Sequence, residues 1–153
     1  MRVPLITIWG AAVLVAPSLL SQEKADFPLE SIRIVGNEEI PAERIIAASG
    51  LKIGARITRP EFTEARDRLL ASGAFESVAF DYKGSLANTG FDATYRVVET
   101  TPLYRFRFEN IARPEAELRD ALRKQEPIFV DAIPPTPLVM NRYSSALGKL
   151  LND

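Results

Sequence analysis

The stretch IRIVGNEEIP, residues 32–41, decides how the fold begins. An alternating apolar run ends there at Gly36-Asn37, a pair that can form the two-residue turn of a β-hairpin. A hairpin needs a second alternating run directly after its turn, but acidic residues and Pro41 follow, as they do at the start of a helix. Gly50 marks the end of that helix. The stretch therefore predicts a strand that leads into a helix.

The next segment predicts a second helix, over Arg59–Ser72. Thr58 is a candidate N-terminal cap, Pro60 lies in the first turn with Glu61 behind it, and Gly73 ends the helix. Apolar residues recur at helical spacing along one face, which we expect to pack on the core: Phe62, Ala65, Leu69 and Leu70.

Three alternating runs predict strands at residues 29–35, Phe75–Lys83 and Phe91–Glu99, with a loop over 84–90. The chain therefore has the order β-α-α-β-β across roughly residues 28–100. Strict alternation also assigns faces: it puts Leu29 on the face opposite Ile32 and Ile34, and Phe75 on the face opposite Val78, Phe80 and Tyr82.

A second unit begins in the same way. An alternating run over Leu103–Phe108 predicts a strand, and Asn110 follows it. The segment PEAEL, residues 114–118, repeats the form of PAERI, residues 41–45, and Thr136-Pro137 echoes the capped start of the second helix. The last predicted helix has an apolar face of Met140, Tyr143 and Leu147, extended by Leu150 and Leu151. The two strands that would close this unit do not follow within the sequence.

Composition excludes several kinds of site. The 153 residues include no Cys and no His, which removes disulfides, thiolate metal ligands and the usual catalytic base. A formal net charge of −1 offers no basic stripe for nucleic acid. The remaining polar residues show no catalytic spacing. We therefore expect a protein that is not an enzyme and has no cofactor, metal or nucleic-acid partner.

Residues 1–21 have the pattern of a secretory signal peptide. Arg2 supplies a positive start, the segment from Val3 to Gln22 is uncharged, and Pro17 with small residues marks its end. Cleavage after Ser18 and cleavage after Ser21 both stay open. The alternative is a retained membrane anchor, since about 20 apolar residues can span a bilayer.

The ordered set of signals resembles the POTRA domain, the periplasmic repeat of outer-membrane assembly proteins such as BamA and TamA. The resemblance covers residues 28–100 as a first domain and 103–153 as the first two-thirds of a second. It is carried, in order, by Gly36-Asn37, Ile40-Pro41, Leu51-Lys52-x-Gly54-x-x-Ile57-Thr58, Leu70-x-x-Gly73-x-Phe75-x-x-Val78 and Val98-Glu99.

The resemblance implies an α+β fold of tandem β-α-α-β-β units, each a three-stranded mixed sheet packed on two helices, with the second unit incomplete. It also implies β-augmentation, in which a client strand adds to an exposed sheet edge. The candidate edge is Phe75–Lys83, with the protein-binding residues Glu76, Ser77, Val78, Ala79, Phe80, Asp81 and Tyr82. The alternative is that this strand is only half-buried structure, with Val78 and Phe80 facing the helices.

The function that the resemblance implies is a docking module of an outer-membrane protein assembly or translocation factor. Its partners would be unfolded outer-membrane proteins and subunits of the assembly complex, and a full-length parent would carry an outer-membrane barrel. Its place would be the periplasm, at the outer membrane of a Gram-negative-type bacterium. The alternative is the POTRA domain of an FtsQ-type cell-division protein, which keeps its N-terminal membrane anchor.

The two N-terminal alternatives predict different masses for the exported protein. We expect intact-mass spectrometry to show the loss of about 18–21 residues, as signal-peptide removal requires. A mass that retains the whole segment would instead support the anchored, cell-division alternative.

Overall fold

A computed structural model describes residues 27–87 and 89–152. The signal-peptide prediction for residues 1–21 lies outside the described residues. The elements follow one another along the chain as β1 Phe27–Val35, α1 Ala42–Ser49, β2 Arg56–Ile57, α2 Arg59–Ala71, β3 Phe75–Gly84, β4 Phe91–Glu99, β5 Tyr104–Arg105, α3 Glu115–Gln125, β6 Ala132–Ile133 and α4 Pro137–Asn152.

The first six elements form the predicted α+β unit around a mixed sheet. The sheet has the strand order β2-β1-β4-β3, with β1 parallel to β4 and β3 antiparallel to β4. The predicted α+β class and β-α-α-β-β order are confirmed. The sheet has one more strand than the three expected, because the two-residue β2 pairs with the start of β1.

Both outer long strands carry a register shift that strict alternation did not predict. In β1 the shift lies between Leu29 and Ser31, and in β3 between Phe75 and Ser77. Each shift inserts one extra residue, so the apolar side chain before it turns to the core face. The predicted faces for Leu29 and Phe75 were therefore wrong, since both are buried.

The core of this unit lies between the sheet and the two helices. The helix α2 buries Phe62, Ala65 and Leu69, three of the four residues predicted for its core face, and Leu70 packs at the margin. The central strand β4 turns alternate side chains inward as its pattern predicts, and these are Ala93, Tyr95 and Val97. Burial of this apolar face is what holds the layers together.

The junction between β1 and α1 is held by the end of β4. The Glu99 carboxylate is buried and accepts backbone N–H groups from Glu38, Glu39 and Ile40, each at 3.0 Å. These amides precede a short helix and have no helical acceptor, so the carboxylate satisfies them. The turn begins at Gly36, whose φ of 87° is in the left-handed region. A Cβ there would overlap the carbonyl oxygen of Val97 in β4.

The ends of the two helices are also fixed as the sequence indicates. Thr58 donates its backbone N–H and its hydroxyl to Oε2 of Glu61, at 2.6 and 2.7 Å, at the start of α2. Gly50 ends α1 in the left-handed conformation. Arg68 of α2 donates from Nε to the carbonyl oxygen of Ser49 at 2.7 Å, which ties the last turn of α1 to α2.

The second part of the chain repeats the opening of the first. Pro114 precedes α3 with nearly the same backbone angles that Pro41 has before α1. The strands β5 and β6 pair antiparallel, as β1 and β2 do. Leu118 and Leu122 of α3 are both buried. A small apolar core consists of Leu122, Phe129, Ile133, Val139, Tyr143 and Ala146. The second part therefore has the element order β-α-β-α, which is also the order of the first four elements of the chain.

Three predictions for this second part were wrong in detail. Leu151, expected to extend the apolar face of the last helix, is 44% exposed. The strand expected over Leu103–Phe108 is paired only at Tyr104–Arg105, and Met140, expected on the core face, is 46% exposed. The latter two differences have one cause. Among the described residues, no strand takes beside β5 the place that β4 takes beside β1. Met140 therefore lines an open apolar groove of about 330 Å³ with Tyr104, Phe106, Phe108, Tyr143 and Leu147.

Replacing Gly36 tests the junction directly. We expect Gly36→Ala to lower the free energy of unfolding by more than about 2 kcal/mol, because left-handed strain adds to a clash with β4. Urea unfolding of the purified chain measures the loss.

The matched control is Gly54→Ala. Gly54 has a φ of 85° with nothing within 4 Å of the added carbon, so this variant reports the left-handed strain alone, about 1–2 kcal/mol. Equal losses in the two variants would show that the contact of Gly36 with β4 contributes nothing.

Candidate polypeptide-binding edge

The strand β3 forms the long free edge of the sheet. Within the described residues, β3 pairs with β4 and with no other strand. The opposite edge is β2, which has two residues, whereas β3 has ten. In an antiparallel ladder, alternate residues direct both backbone polar groups away from the partner strand. A row of N–H and C=O groups along β3 is therefore directed away from the sheet.

The seven predicted site residues all lie on this edge strand, and its two faces differ. Val78 is buried, while Phe80 and Tyr82 are half-buried on the side that faces the helices. The other four predicted residues are exposed, and these are Glu76, Ser77, Ala79 and Asp81. The alternative interpretation was therefore correct about Val78 and Phe80. It does not remove the edge, because the outward backbone groups of β3 still have no partner strand in the part of the chain that the structure describes.

A group of stacked aromatic rings lies under the edge. Tyr82 stacks on Phe62 of α2 with ring centroids 4.7 Å apart and planes 8° from parallel. Phe80 stacks on the same ring at 6.1 Å, and Phe91 meets Tyr82 edge-on at 5.5 Å. Aromatic pairs in these arrangements stabilise a fold beyond the area that they bury. They hold β3 rigidly against α2 and leave the margins of Phe80 and Tyr82 accessible.

Charges on the outer face limit indiscriminate pairing at this edge. Glu76, Asp81 and Lys83 are exposed along β3, and the register shift next to Glu76 bends the start of the strand. Exposed charges and bulges are the devices by which edge strands avoid pairing with each other. The straight part of β3, from Ser77 to Gly84, remains in regular register with β4.

A buried hydrogen bond anchors the strand next to the edge. The Tyr95 hydroxyl donates to the carbonyl oxygen of Phe62 at 2.9 Å, which joins β4 to α2 beneath β3. Burial raises the pKa of the Tyr95 hydroxyl to about 12, against a smaller opposing effect of Arg68 and Arg66. The neutral phenol is therefore the form that the fold requires.

The described residues hold no group of Asp, Glu, His or Cys that could bind a metal ion. The same part of the chain contains no helix long and apolar enough to cross a membrane. What the edge offers chemically is a row of main-chain hydrogen-bonding groups beside an aromatic surface. A free strand edge of this kind is the type of surface to which an extended polypeptide can add as a further strand.

Sequence reasoning missed Phe62, Phe91 and Glu99 as parts of this region. Phe62 was predicted to be core, but its stacking under the edge depends on the partner strand. The register shifts did leave a signal: Leu29 and Ile32, like Phe75 and Val78, are apolar pairs three residues apart, which breaks the period of two. Nothing in the sequence pattern indicates that Glu99 binds residues 38–40.

Comparison with known proteins identifies a family for the first part of the chain. Residues 27–100 match the model of the POTRA family, described as a surface antigen variable number repeat. No curated protein sequence matches the chain.

Three solved structures are similar. POTRA1-2 of the periplasmic domain of Omp85 from Anabaena is 12% identical, with 83% of this chain and 78% of that chain covered and a TM-score of 0.48. POTRA3-5 of Haemophilus influenzae BamA is 18% identical over 81% of this chain and 50% of that chain, with a TM-score of 0.41. POTRA1-3 of the Anabaena protein is 18% identical, with 48% of this chain and 34% of that chain covered and a TM-score of 0.37. Because all three TM-scores are below 0.5, the assignment of residues 27–100 to the POTRA family depends on the match to the family model alone.

The raised pKa of Tyr95 predicts a loss of stability at alkaline pH. The folded pKa of about 12 exceeds the ordinary value of 10.0, so the stabilisation is complete below pH 10 and is lost as the pH rises toward 12. In urea unfolding between pH 9 and 11.5, we expect the native chain to lose about 2 kcal/mol more than Tyr95→Phe does. The variant retains a residual fall, because burial also raises the pKa of Tyr143 to about 12.

The matched control is Tyr104→Phe, which removes a phenol that is 56% exposed. This variant should keep the full alkaline fall of the native chain. An equal fall in the native chain and in Tyr95→Phe would contradict the assignment of the effect to Tyr95.

Proposed function

Because residues 27–100 belong to the POTRA family, we propose that the chain is a periplasmic docking module of an outer-membrane protein assembly or translocation factor. It acts as a scaffold and not as an enzyme. Its clients are unfolded outer-membrane β-barrel proteins, and its partners include other subunits of the assembly complex. It works at the outer membrane of a Gram-negative-type bacterium, in a parent that carries an outer-membrane barrel.

The observation that carries this proposal is the free edge at β3. A ten-residue strand with one paired side is long enough to bind an extended client segment through a continuous ladder of main-chain hydrogen bonds. Main-chain pairing tolerates different side chains, which suits a module that accepts many clients. The predicted residues Glu76–Tyr82 supply this ladder.

The aromatic group under the edge explains which client segments would bind best. A strand added beside β3 directs alternate side chains to the helix side of the sheet, next to Phe80 and Tyr82. Aromatic and β-branched side chains at those alternate positions gain cross-strand contacts with the two rings. The outer positions face Ser77, Ala79 and Asp81, so polar residues suit them. Alternating apolar and polar residues are also the pattern of strands in outer-membrane barrels.

The division of the chain into domains is part of this proposal. Residues 28–100 make up a first POTRA domain, and 103–153 make up the β-α-α part of a second. Support for the second comes from the paired β5 and β6, the helix that begins after Pro114, and the buried faces of α3 and α4. Counterparts of β3 and β4 are absent from the described part of 103–153. Residues 1–21 direct export.

Titration with strand peptides tests the proposal. We expect peptides with the sequences of outer-membrane barrel strands to bind weakly and to shift backbone amide signals of residues 75–83, because pairing changes the hydrogen bonds of the edge. Two-dimensional ¹H–¹⁵N NMR of the labelled chain follows the shifts residue by residue.

The control peptide has the same composition with proline at alternate positions, which removes the donors that the ladder needs. It should leave the signals of 75–83 unchanged. Shifts confined to residues 29–35 would place the docking edge elsewhere and overturn the site assignment.

A further inference from the structure

The segment between α3 and β6, residues 126–131, links the two parts of the chain. We call it the strap. Ile128 is 5% exposed and belongs to the apolar core of the first part, with residues such as Ile45 and Leu51, although it follows α3 in the second. Val130 packs against the same core from the margin. The strap therefore contributes an apolar side chain to a core whose other buried members lie between residues 29 and 97.

The neighbouring side chain of the strap belongs to the other core. Phe129 is fully buried, packs in the second cluster, and meets Phe106 and Tyr143 edge-on at ring separations of 5.5 and 5.4 Å. Two consecutive residues thus anchor in two different cores. A rotation of one part against the other would withdraw Ile128 or Phe129 from its site, at the cost of exposing a large apolar side chain.

An arginine of α1 holds the strap in place. The Arg44 guanidinium donates to the carbonyl oxygens of Pro127 and Phe129, at 3.3 and 3.2 Å, on either side of Ile128. These are charge-assisted hydrogen bonds to backbone groups, which are stronger than neutral ones. The contact fixes the backbone of the strap to the first part independently of the apolar contact made by Ile128.

A second contact lies at the start of α4. Val139 and Leu138 approach Gly73, where a Cβ would lie 2.9 and 3.1 Å from their side chains. Arg142 donates to the carbonyl oxygen of Ala71 at 3.4 Å and is paired with Glu126 of the strap. The end of α2 is therefore covered by the second part, at a place distinct from Arg44.

From these contacts we infer that residues 27–152 move as one rigid body, fastened by the strap. The part that matches the family model ends at residue 100, but its core is completed by Ile128. The cooperative unit is therefore longer than the family repeat. The orientation of the β3 edge relative to the second part is therefore set by the fold. This inference does not depend on whether β3 binds clients.

Backbone ¹⁵N relaxation of the labelled full chain tests the inference. We expect the amides of 27–99 and those of 115–152 to report the same rotational correlation time, since one rigid body tumbles as a whole. Two clearly different correlation times in the native chain would by themselves overturn the inference.

The double variant Arg44→Gln with Ile128→Ser removes the arginine contact and the buried apolar contact of the strap. We expect its two regions to report different correlation times, with the shorter value in 115–152, while the dispersed amide signals of 27–99 show that the first part stays folded. Ile128→Ser alone is the milder second variant. It should give a smaller difference between the two correlation times, again with the shorter value in 115–152.

The matched control is Arg113→Gln, which removes an arginine that pairs with Glu117 within the second part. It should keep a single correlation time. An unchanged single value in the double variant, with both regions folded, would show that the strap does not fasten the two parts.

Discussion

The fold of the first part depends on one buried carboxylate. Glu99, at the end of β4, binds the three amides of residues 38–40 that join β1 to α1. Without an acceptor there, three buried or half-buried donors would be left unsatisfied, each at a cost of about 1–3 kcal/mol. The close packing of Gly36 on Val97 brings the turn within reach of this carboxylate. The first turn of the fold is therefore completed only when its last strand is in place.

This constraint also decides which strand forms the long free edge of the sheet. With its end bound to the β1–α1 junction, β4 is held parallel to β1 and becomes the central strand. The strand β3 precedes β4 through a short loop and pairs antiparallel on its other side, so it is left at the margin of the sheet. The helices cover one face of the sheet and do not pair with its edge. The junction lies on the β1 side of β4, so it leaves the outward main-chain groups of β3 available for pairing.

The sequence predicts local features well and cooperative ones poorly. Proline, glycine and capping residues such as Thr58 depend on neighbours in the chain, so both helices of the first part were placed within a residue or two. The register shifts, the short β2 and the contacts of Glu99 depend on residues that lie from about twenty to about sixty positions apart, which no periodicity reveals. The edge position of β3 came from the family resemblance. Met140 is a local prediction that failed. It is the fourth residue of α4, as Phe62 is of α2, but among the described residues no strand covers it.

Hydrogen exchange along β3 tests most directly the claim that a client strand adds to this edge. In the free chain, alternate amides of 77–83 should exchange rapidly while those of β4 are protected, because half of the β3 donors face outward. Addition of a saturating barrel-strand peptide should slow the rapidly exchanging set and leave β4 unchanged. Uniform protection along β3 in the free chain, or slowing on addition of peptide that occurs only outside 75–84, would contradict the account.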